Sequence, residues 1–185
     1  ALAAGIDKLR LNPGNIGDAG RVRQVVEAAR ARNVPIRIGV NAGSLEKDIL
    51  ARHGHPTALA LAESALRHLS WLEDLNFSAI AVSLKSSSIA VTVDAYRLVA
   101  ARTAYPLHLG ITEAGTLRTG TVVSAIGIGA LLLEGIGDTL RVSLTAPPEE
   151  EVRLGRAILA ALDLRHNGPR FISCPSCGRT TVDLV

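Results

Sequence analysis

Short apolar runs alternate with longer amphipathic segments along the whole chain. Runs this short predict strands, whereas apolar residues that recur every three or four positions predict helices. The predicted strands are residues 8–11, 36–40, 79–84, 107–111 and 139–144.

Helices are predicted in the gaps between these strands. One begins after Asp18, whose side chain can accept hydrogen bonds from the free N–H groups of a first turn. Another starts near Thr57, because apolar residues from Ala62 to Leu72 recur at helical spacing. A third covers about residues 89–103, and a fourth contains the apolar stretch that starts at residue 122. The fifth begins at Pro147 and has three glutamates in its first turn, where acids suit the helix dipole.

Alternation of strand and helix predicts a parallel sheet covered by helices, either as a barrel or as an open doubly wound sheet. A Gly-rich dinucleotide-binding fingerprint would favour the open sheet, but Gly127 and Gly129 fall inside a predicted helix rather than after a strand.

The two faces of the predicted strands differ, and this favours the barrel. Side chains alternate between faces along a strand, and an open parallel sheet is apolar on both. Here one face is apolar throughout and suits packing against helices. The other carries polar, charged or small residues, namely Arg10, Asn12, Arg37, Gly39, Asn41, Ser83, Lys85, His108, Gly110, Thr112, Arg141, Ser143 and Thr145. The sequence therefore predicts an α/β fold of the TIM-barrel type with a polar lumen.

Four of these residues are cations that would converge in the lumen, with His108 beside them: Arg10, Arg37, Lys85 and Arg141. Like charges do not gather in a low-dielectric interior without an anion. The nearest acid in the pattern is Glu113, which cannot balance four cations. A single strand arginine is ordinarily a solvated residue and a single histidine ordinarily a core residue, but repetition over five strands favours a site for a diphosphate or similar anion.

Composition narrows the function classes. Aromatic residues make up 3% of the 185 residues, which argues against a single-stranded nucleic-acid binder, and a net charge of +3 says little about partners. No signal peptide or lipidation motif is recognised, so we expect a cytoplasmic protein. The longest apolar stretch, residues 122–133, is too short to span a bilayer and is interpreted as a buried helix.

The two cysteines, Cys174 and Cys177, form a Cys-x-x-Cys pair near the end of the chain. Such a pair fits half a zinc site, half an iron–sulfur site or a redox dithiol. The dithiol is less favoured, because the pair follows a short predicted strand instead of opening a helix. Zinc and iron–sulfur clusters both need further ligands. The chain has no third cysteine, and His166 is interpreted as a surface residue.

Six motifs in order along the chain resemble the 4-hydroxy-3-methylbut-2-enyl diphosphate synthase family: DKLRLNPGNIGD, IRIGVNAGSLE, VSLKSS, LHLGITEAG, GIGDTLRVSLT and FISCPSCGRT. The resemblance covers essentially all 185 residues. It implies five of the eight strands of a barrel in residues 1–168 and the beginning of an iron–sulfur domain in residues 169–185. The first strands are expected before residue 1, and a third cysteine and a glutamate ligand after residue 185. Unpaired barrel edges argue against independent folding of such a segment, and alone it is expected to be inactive.

The resemblance also implies an activity. The family reductively opens 2-C-methyl-D-erythritol 2,4-cyclodiphosphate, taking electrons from ferredoxin or flavodoxin through a 4Fe-4S cluster. Cys174 and Cys177 would be the first two cluster ligands. His108 and Glu113 would be catalytic, and the parent enzyme would be a head-to-tail homodimer with no nucleic-acid or membrane partner. The diphosphate pocket would be lined by Arg10, Asn12, Arg37, Asn41, Lys85, Arg141 and Ser143.

Two other function classes are kept open. The first is a zinc-hooked barrel that binds a phosphorylated metabolite without redox chemistry. The second is a non-enzymatic binding or scaffold fragment.

Overall fold

The computed structural model describes residues 2–166, 168–169, 178–179 and 181. Strands and helices alternate through most of this range. The strands are β1 (Leu9–Leu11), β2 (Ile36–Asn41), β3 (Ile80–Lys85), β4 (His108–Leu109) and β5 (Thr139–Leu140). The helices are α1 (Pro13–Ile16), α2 (Ala19–Arg30), α3 (Lys47–His53), α4 (Ala58–Asp74), α5 (Ile89–Ala100), α6 (Leu117–Leu133) and α7 (Pro148–Ala161).

All strand pairs are parallel and follow chain order. β1 pairs with β2, β2 with β3, and β4 with β5. A single bridge between Val82 and Leu107 joins the two groups, and the Val82 N–H donates to the carbonyl of Pro106 at 2.8 Å. Among the described residues β1 and β5 each have one strand neighbour, so no closed barrel forms there. The strand order is the one that a barrel segment requires.

Helices α2 and α4 begin where the sequence predicted, and each has a side-chain cap at its first turn. The Asp18 side chain accepts a hydrogen bond from the Arg21 N–H, and Thr57 accepts from the Ala60 N–H. The apolar strand face packs as predicted, with Ile36, Ile38 and Val82 fully buried beneath the helices.

The short helix α3 was not predicted from the sequence. It begins after Glu46, whose Oε2 accepts a 2.7 Å hydrogen bond from the Ser64 hydroxyl of α4. Fully buried His68 lies beside them, with Nδ1 3.1 Å from the Ser64 carbonyl oxygen and its ring 4.5 Å from that of Trp71. Contacts between α3 and α4 therefore hold a segment whose own sequence pattern is weak.

Two predictions need correction. The last two strands are shorter than expected, because only residues 108–109 and 139–140 form a ladder. The apolar helix from residue 122 is not fully buried: Val122, Ile126 and Leu133 are each more than half exposed. No helix among the described residues is both long and apolar enough to cross a membrane.

Candidate anion-binding site

The polar face of the strands brings the predicted cations together. Arg10 of β1 pairs in register with Arg37 of β2, so the two side chains lie on the same face of neighbouring strands. The Arg10 side chain also lies across Gly39, the next residue of β2 on this face. Its Nη2 donates to the Gly39 carbonyl at 3.0 Å, and a Cβ on Gly39 would fall 2.3 Å from its Nε. A glycine is needed there to leave space for the guanidinium.

Lys85 ends β3 and reaches over a second glycine in the same way. A Cβ on Gly110 would lie 3.0 Å from Lys85 Nζ and 2.7 Å from the carbonyl oxygen of Arg141. Burial, together with the charges of Arg37 and Arg141 and then of Arg10, lowers the pKa of Lys85 to about 8. The ammonium therefore lies in a partly desolvated and strongly positive environment.

Arg37 is half-buried at the centre of this face. Burial lowers its pKa, and the positive charges of Arg10 and Arg141 act in the same direction. Its Nε is buried and has no hydrogen-bond partner within the described part of the chain. A buried donor without an acceptor is costly, so this atom indicates a place for a ligand oxygen.

His108 begins β4 and is the fifth polar group of the site. Its Nδ1 lies 2.8 Å from the Thr139 hydroxyl, while Nε2 is buried and unpartnered among the residues described. Burial lowers the pKa of His108 to about 4, helped by Arg37 and Lys85 and, to a lesser extent, by other nearby cations. The imidazole is therefore neutral at pH 7.

A buried tyrosine fixes the backbone at this point. The Tyr96 hydroxyl of α5 donates to the His108 carbonyl at 2.5 Å and accepts from the Leu84 N–H at 3.1 Å. These two bonds connect β3 to β4 close to the single bridge between them. Tyr96 therefore fixes the position of His108 on β4 relative to Lys85 on β3.

Two loops at the carboxyl ends of β1 and β2 close one edge of the site. Asn12 Nδ2 donates to the Ser44 hydroxyl at 3.1 Å, and the Asn41 side chain accepts from the Gly43 N–H. A Cβ on Gly14 would fall 1.6 Å from the Ser44 carbonyl oxygen, so the two loops pack backbone against backbone.

Other predicted site residues are less closely engaged. Glu113 is exposed in the loop after β4 and has a left-handed backbone with φ 56°. Half-buried Ser143 follows β5. The acid whose charge acts on Lys85 is Glu151 of α7, which accepts a hydrogen bond from the Leu144 N–H at 2.8 Å. Cys174 and Cys177 lie outside the described residues.

Sequence reasoning missed three residues that shape the site: Ser44, Tyr96 and Glu151. Tyr96 and Glu151 lie on helices, and their partners are backbone groups of other elements, so no strand pattern points to them. Of the three, Ser44 could have been proposed from the sequence, because it lies in the loop directly after Asn41.

Comparison with known proteins decides the family. The GcpE TIM-barrel domain matches residues 1–156. This chain belongs to the GcpE family. The GcpE match ends within α7, so all five strands and the whole cationic face lie inside the matched region.

Three similar proteins carry the name 4-hydroxy-3-methylbut-2-en-1-yl diphosphate synthase (flavodoxin). The relative from Geobacter sulfurreducens is 60% identical over 184 residues, which cover 100% of this chain and 52% of the relative. The relative from Fusobacterium nucleatum is 58% identical over 185 residues, covering 100% of this chain and 52% of the relative. One from Pseudomonas fluorescens is 61% identical over 181 residues, covering 98% and 49%. The chain spans about half the length of these GcpE relatives.

Proposed function

We propose that this chain is the anion-binding part of an enzyme that reductively opens 2-C-methyl-D-erythritol 2,4-cyclodiphosphate to 4-hydroxy-3-methylbut-2-enyl diphosphate. The observation that carries the proposal is the cationic face, where four cations converge and the buried Nε of Arg37 has no acceptor among the described residues. The name that the similar proteins carry supports the same activity and does not favour a zinc-hooked barrel.

The diphosphate is the part of the substrate that these residues recognise. Guanidinium groups of Arg10, Arg37 and Arg141 offer paired N–H donors to phosphate oxygens, whereas Lys85 offers a point charge. Asn12, Asn41 and Ser143 complete the proposed pocket as neutral donors. Holding the diphosphate uses binding energy remote from the reacting carbons to orient them, which is how such a site raises a reaction rate.

His108 and Glu113 are the proposed catalytic residues. We propose that the neutral imidazole carries its proton on Nε2, so that Nδ1 accepts from the Thr139 hydroxyl and the Nε2–H is free to donate to a substrate oxygen. Glu113 stands exposed at the carboxyl end of β4, where barrel enzymes place reactive groups. We assign to Glu113 the delivery of the proton that leaves with the substrate hydroxyl as water.

The electrons require a cofactor, for which the chain offers two thiolates. Cys174 and Cys177 suit two corners of a 4Fe-4S cluster, whose remaining ligands are proposed to lie outside this sequence. The cluster would supply electrons one at a time. Among the described residues no group of three potential ligands gathers, so the barrel segment offers no competing metal site there.

Membership of the GcpE family also supports proposals for the domains, the cellular location and the partners of the enzyme. We propose residues 1–168 as barrel and 169–185 as the start of the iron–sulfur domain, in a cytoplasmic enzyme that works as a homodimer. Flavodoxin is the proposed electron donor, on the basis of the relatives' name. Ferredoxin is the alternative donor.

Calorimetric titration of the full-length protein with inorganic diphosphate tests the anion site. Arg37→Ala and Arg141→Ala should each weaken binding on the order of tenfold or more, because each removes a charge-assisted contact. Exposed Arg32 provides the matched control, and Arg32→Ala should bind as the native protein does. Native affinity in both site variants would overturn the assignment.

Anaerobic reconstitution of the full-length protein with iron and sulfide tests the cofactor separately. Brown cluster absorbance that is lost in Cys174→Ala supports the iron–sulfur proposal. Zinc occupancy without that absorbance would support the zinc-hooked barrel instead.

A further inference from the structure

Lys85 differs from the other lysines of the chain in what surrounds it. The sequence has three lysines, of which Lys8 and Lys47 are exposed, whereas Lys85 is half-buried at the end of β3. Three arginine charges act on the Lys85 ammonium, and the charge of Glu151 opposes them more weakly than any of the three. Lys85 forms no salt bridge with another described residue. Of the three lysines it is therefore the one most easily deprotonated.

Gly110 lies between Lys85 and Arg141 on the lumen face. A Cβ on Gly110 would lie 3.0 Å from Lys85 Nζ and 2.7 Å from the carbonyl oxygen of Arg141, so the amine borders the space that a side chain would fill. β3 and β5 flank β4, about 10 Å apart at roughly 4.8 Å per strand spacing. A short ligand over Gly110 can therefore contact Nζ of Lys85 with one end and the Arg141 guanidinium with the other.

The electrostatics of this position make the amine a nucleophile. With a pKa of about 8, roughly a quarter of Lys85 is neutral at pH 7.5. A lysine with the ordinary pKa of 10.5 is neutral in only about a thousandth of molecules at that pH. Only the neutral amine has a lone pair for attack on carbon, and a lysine beside other cations is activated in this way.

We propose that Lys85 is a covalent binding site for phosphorylated aldehydes. The arginines hold the phosphate, and the Lys85 amine forms a reversible imine with the carbonyl carbon. The adduct fills the pocket proposed above for the diphosphate, so such aldehydes inhibit the enzyme. The inference rests on that anion site and does not depend on the redox chemistry.

Imine formation needs no reactant besides the aldehyde. The neutral Nζ attacks the carbonyl carbon, a C–N bond forms, and one amine proton moves to the former carbonyl oxygen. The resulting hydroxyl leaves with the second amine proton as water, so that a C=N bond replaces the C=O bond. Nothing is oxidised or reduced, and addition of water to the imine reverses both steps.

The arginine cluster favours the imine over the ammonium. An imine nitrogen is a weaker base than an amine, so the reaction removes one of the four clustered positive charges. Arg10, Arg37 and Arg141 keep their charges and can donate paired N–H groups to the phosphate oxygens. A phosphate monoester carries at most about two negative charges, so the surroundings of Lys85 stay positive while the aldehyde is bound.

Reductive trapping measures the adduct in the full-length protein. Sodium cyanoborohydride converts an imine with glycolaldehyde phosphate into a stable secondary amine, which peptide mass spectrometry assigns to a residue. At pH 7.5 Lys85 should be labelled on the order of tenfold faster than Lys8 or Lys47, because more of its amine is neutral and the arginines attract the phosphate. Glycolaldehyde, the matched probe without phosphate, should label Lys85 on the order of tenfold more slowly.

A variant and a competing anion test the role of the arginines. Arg141→Ala should slow the labelling of Lys85, since the phosphate loses one of its contacts. Arg32→Ala, at an exposed position, is the matched control and should be labelled as the native protein is. Saturating inorganic diphosphate should protect Lys85 and leave the labelling of Lys8 unchanged. Without reductant, inhibition of the holoenzyme by glycolaldehyde phosphate should be reversed by dilution.

The outcomes distinguish this inference from the proposed function. Equal labelling of all three lysines would overturn the covalent site, as would labelling of Lys85 that diphosphate does not slow. If the native protein binds diphosphate in calorimetry and Lys85 stays unlabelled, the covalent site is wrong and the anion site stands. If the protein neither binds diphosphate nor forms the adduct, the anion site is wrong as well.

Discussion

Arg10 Nη2 donates a 3.0 Å hydrogen bond to the carbonyl oxygen of Gly39, and the rest of its side chain fills the space in front of that glycine. A guanidinium that lies flat across a strand exposes its remaining N–H groups to the lumen. The absence of a side chain on Gly39 is therefore part of the binding site.

Gly39→Ala should weaken binding of inorganic diphosphate on the order of tenfold. The new Cβ would lie 2.3 Å from Arg10 Nε and push the guanidinium out of place, with the loss of about 1.5 kcal/mol for a charge-assisted contact. Calorimetric titration measures the change. Gly43→Ala is the matched control, because its Cβ would meet nothing closer than 3.9 Å, and its affinity should equal that of the native protein. Equal affinities in the two variants would contradict this account of Arg10.

Diphosphate binding at pH 8.5 should be accompanied by proton uptake. The pKa of Lys85 without ligand is about 8, lowered by burial and by the neighbouring arginines, so much of the amine is neutral at this pH. A bound anion favours the ammonium, which raises this pKa and draws in a proton. Titration in two buffers with different ionisation enthalpies measures the uptake. Lys85→Arg should retain binding and lose the uptake, and undiminished uptake in that variant would assign the proton to another group.

The same Lys85 shift affects folding stability. The folded pKa of about 8 is below the ordinary 10.5, so between these values the unfolded chain binds more protons. The ligand-free protein should therefore gain stability from Lys85 as pH rises from 8 to 10.5. Urea unfolding of native and Lys85→Met proteins across this range shows whether that gain depends on the lysine.

Ser64→Ala should lower the free energy of unfolding by about 1–3 kcal/mol, since it leaves the Glu46 carboxylate without its 2.7 Å donor. Urea denaturation gives the value. Ser124 allows a matched control: its side chain is equally buried, and its Oγ has no partner in the described part of the chain. Ser124→Ala should therefore be neutral or stabilising, and an equal loss in both variants would mean that packing alone explains the effect.

Tyr96→Phe should cost about 1–3 kcal/mol of stability and also reduce diphosphate affinity. It removes the hydroxyl that bridges the Leu84 N–H and the His108 carbonyl, and so loosens β4 against β3. Less buried Tyr105 is the control, and Tyr105→Phe should leave diphosphate affinity unchanged. A stable Tyr96→Phe variant with native affinity would show that the bridge does not position His108.

Interactions local in sequence were predictable. Asp18 caps α2 through an N–H group three residues away, the apolar spacing of α4 placed its start near Thr57, and the alternation of polar and apolar residues along β2 predicted the face that carries Arg37. Such features need only the periodicity of one element. For this reason the convergence of the four cations could be predicted from the sequence.

Interactions between distant segments were not predictable. Helix α3 depends on contacts such as Glu46 with Ser64, and Tyr96 reaches across to the backbone of another strand. The interpretation of residues 122–133 as a buried helix was wrong for the outward face of α6, because the hydrophobicity of a segment does not show which of its faces stays exposed.

The contact between Gly14 and Ser44 limits how the lengths of the loops at the barrel mouth can vary. A Cβ on Gly14 would overlap the Ser44 carbonyl oxygen, so the loops after β1 and β2 leave no gap between them. Lengthening one loop would displace the other and carry Asn12 or Asn41 away from the cations. We therefore expect relatives that accept substrates of other shapes to differ in the loops after β4 and β5. The loops after β1 and β2 should change only together.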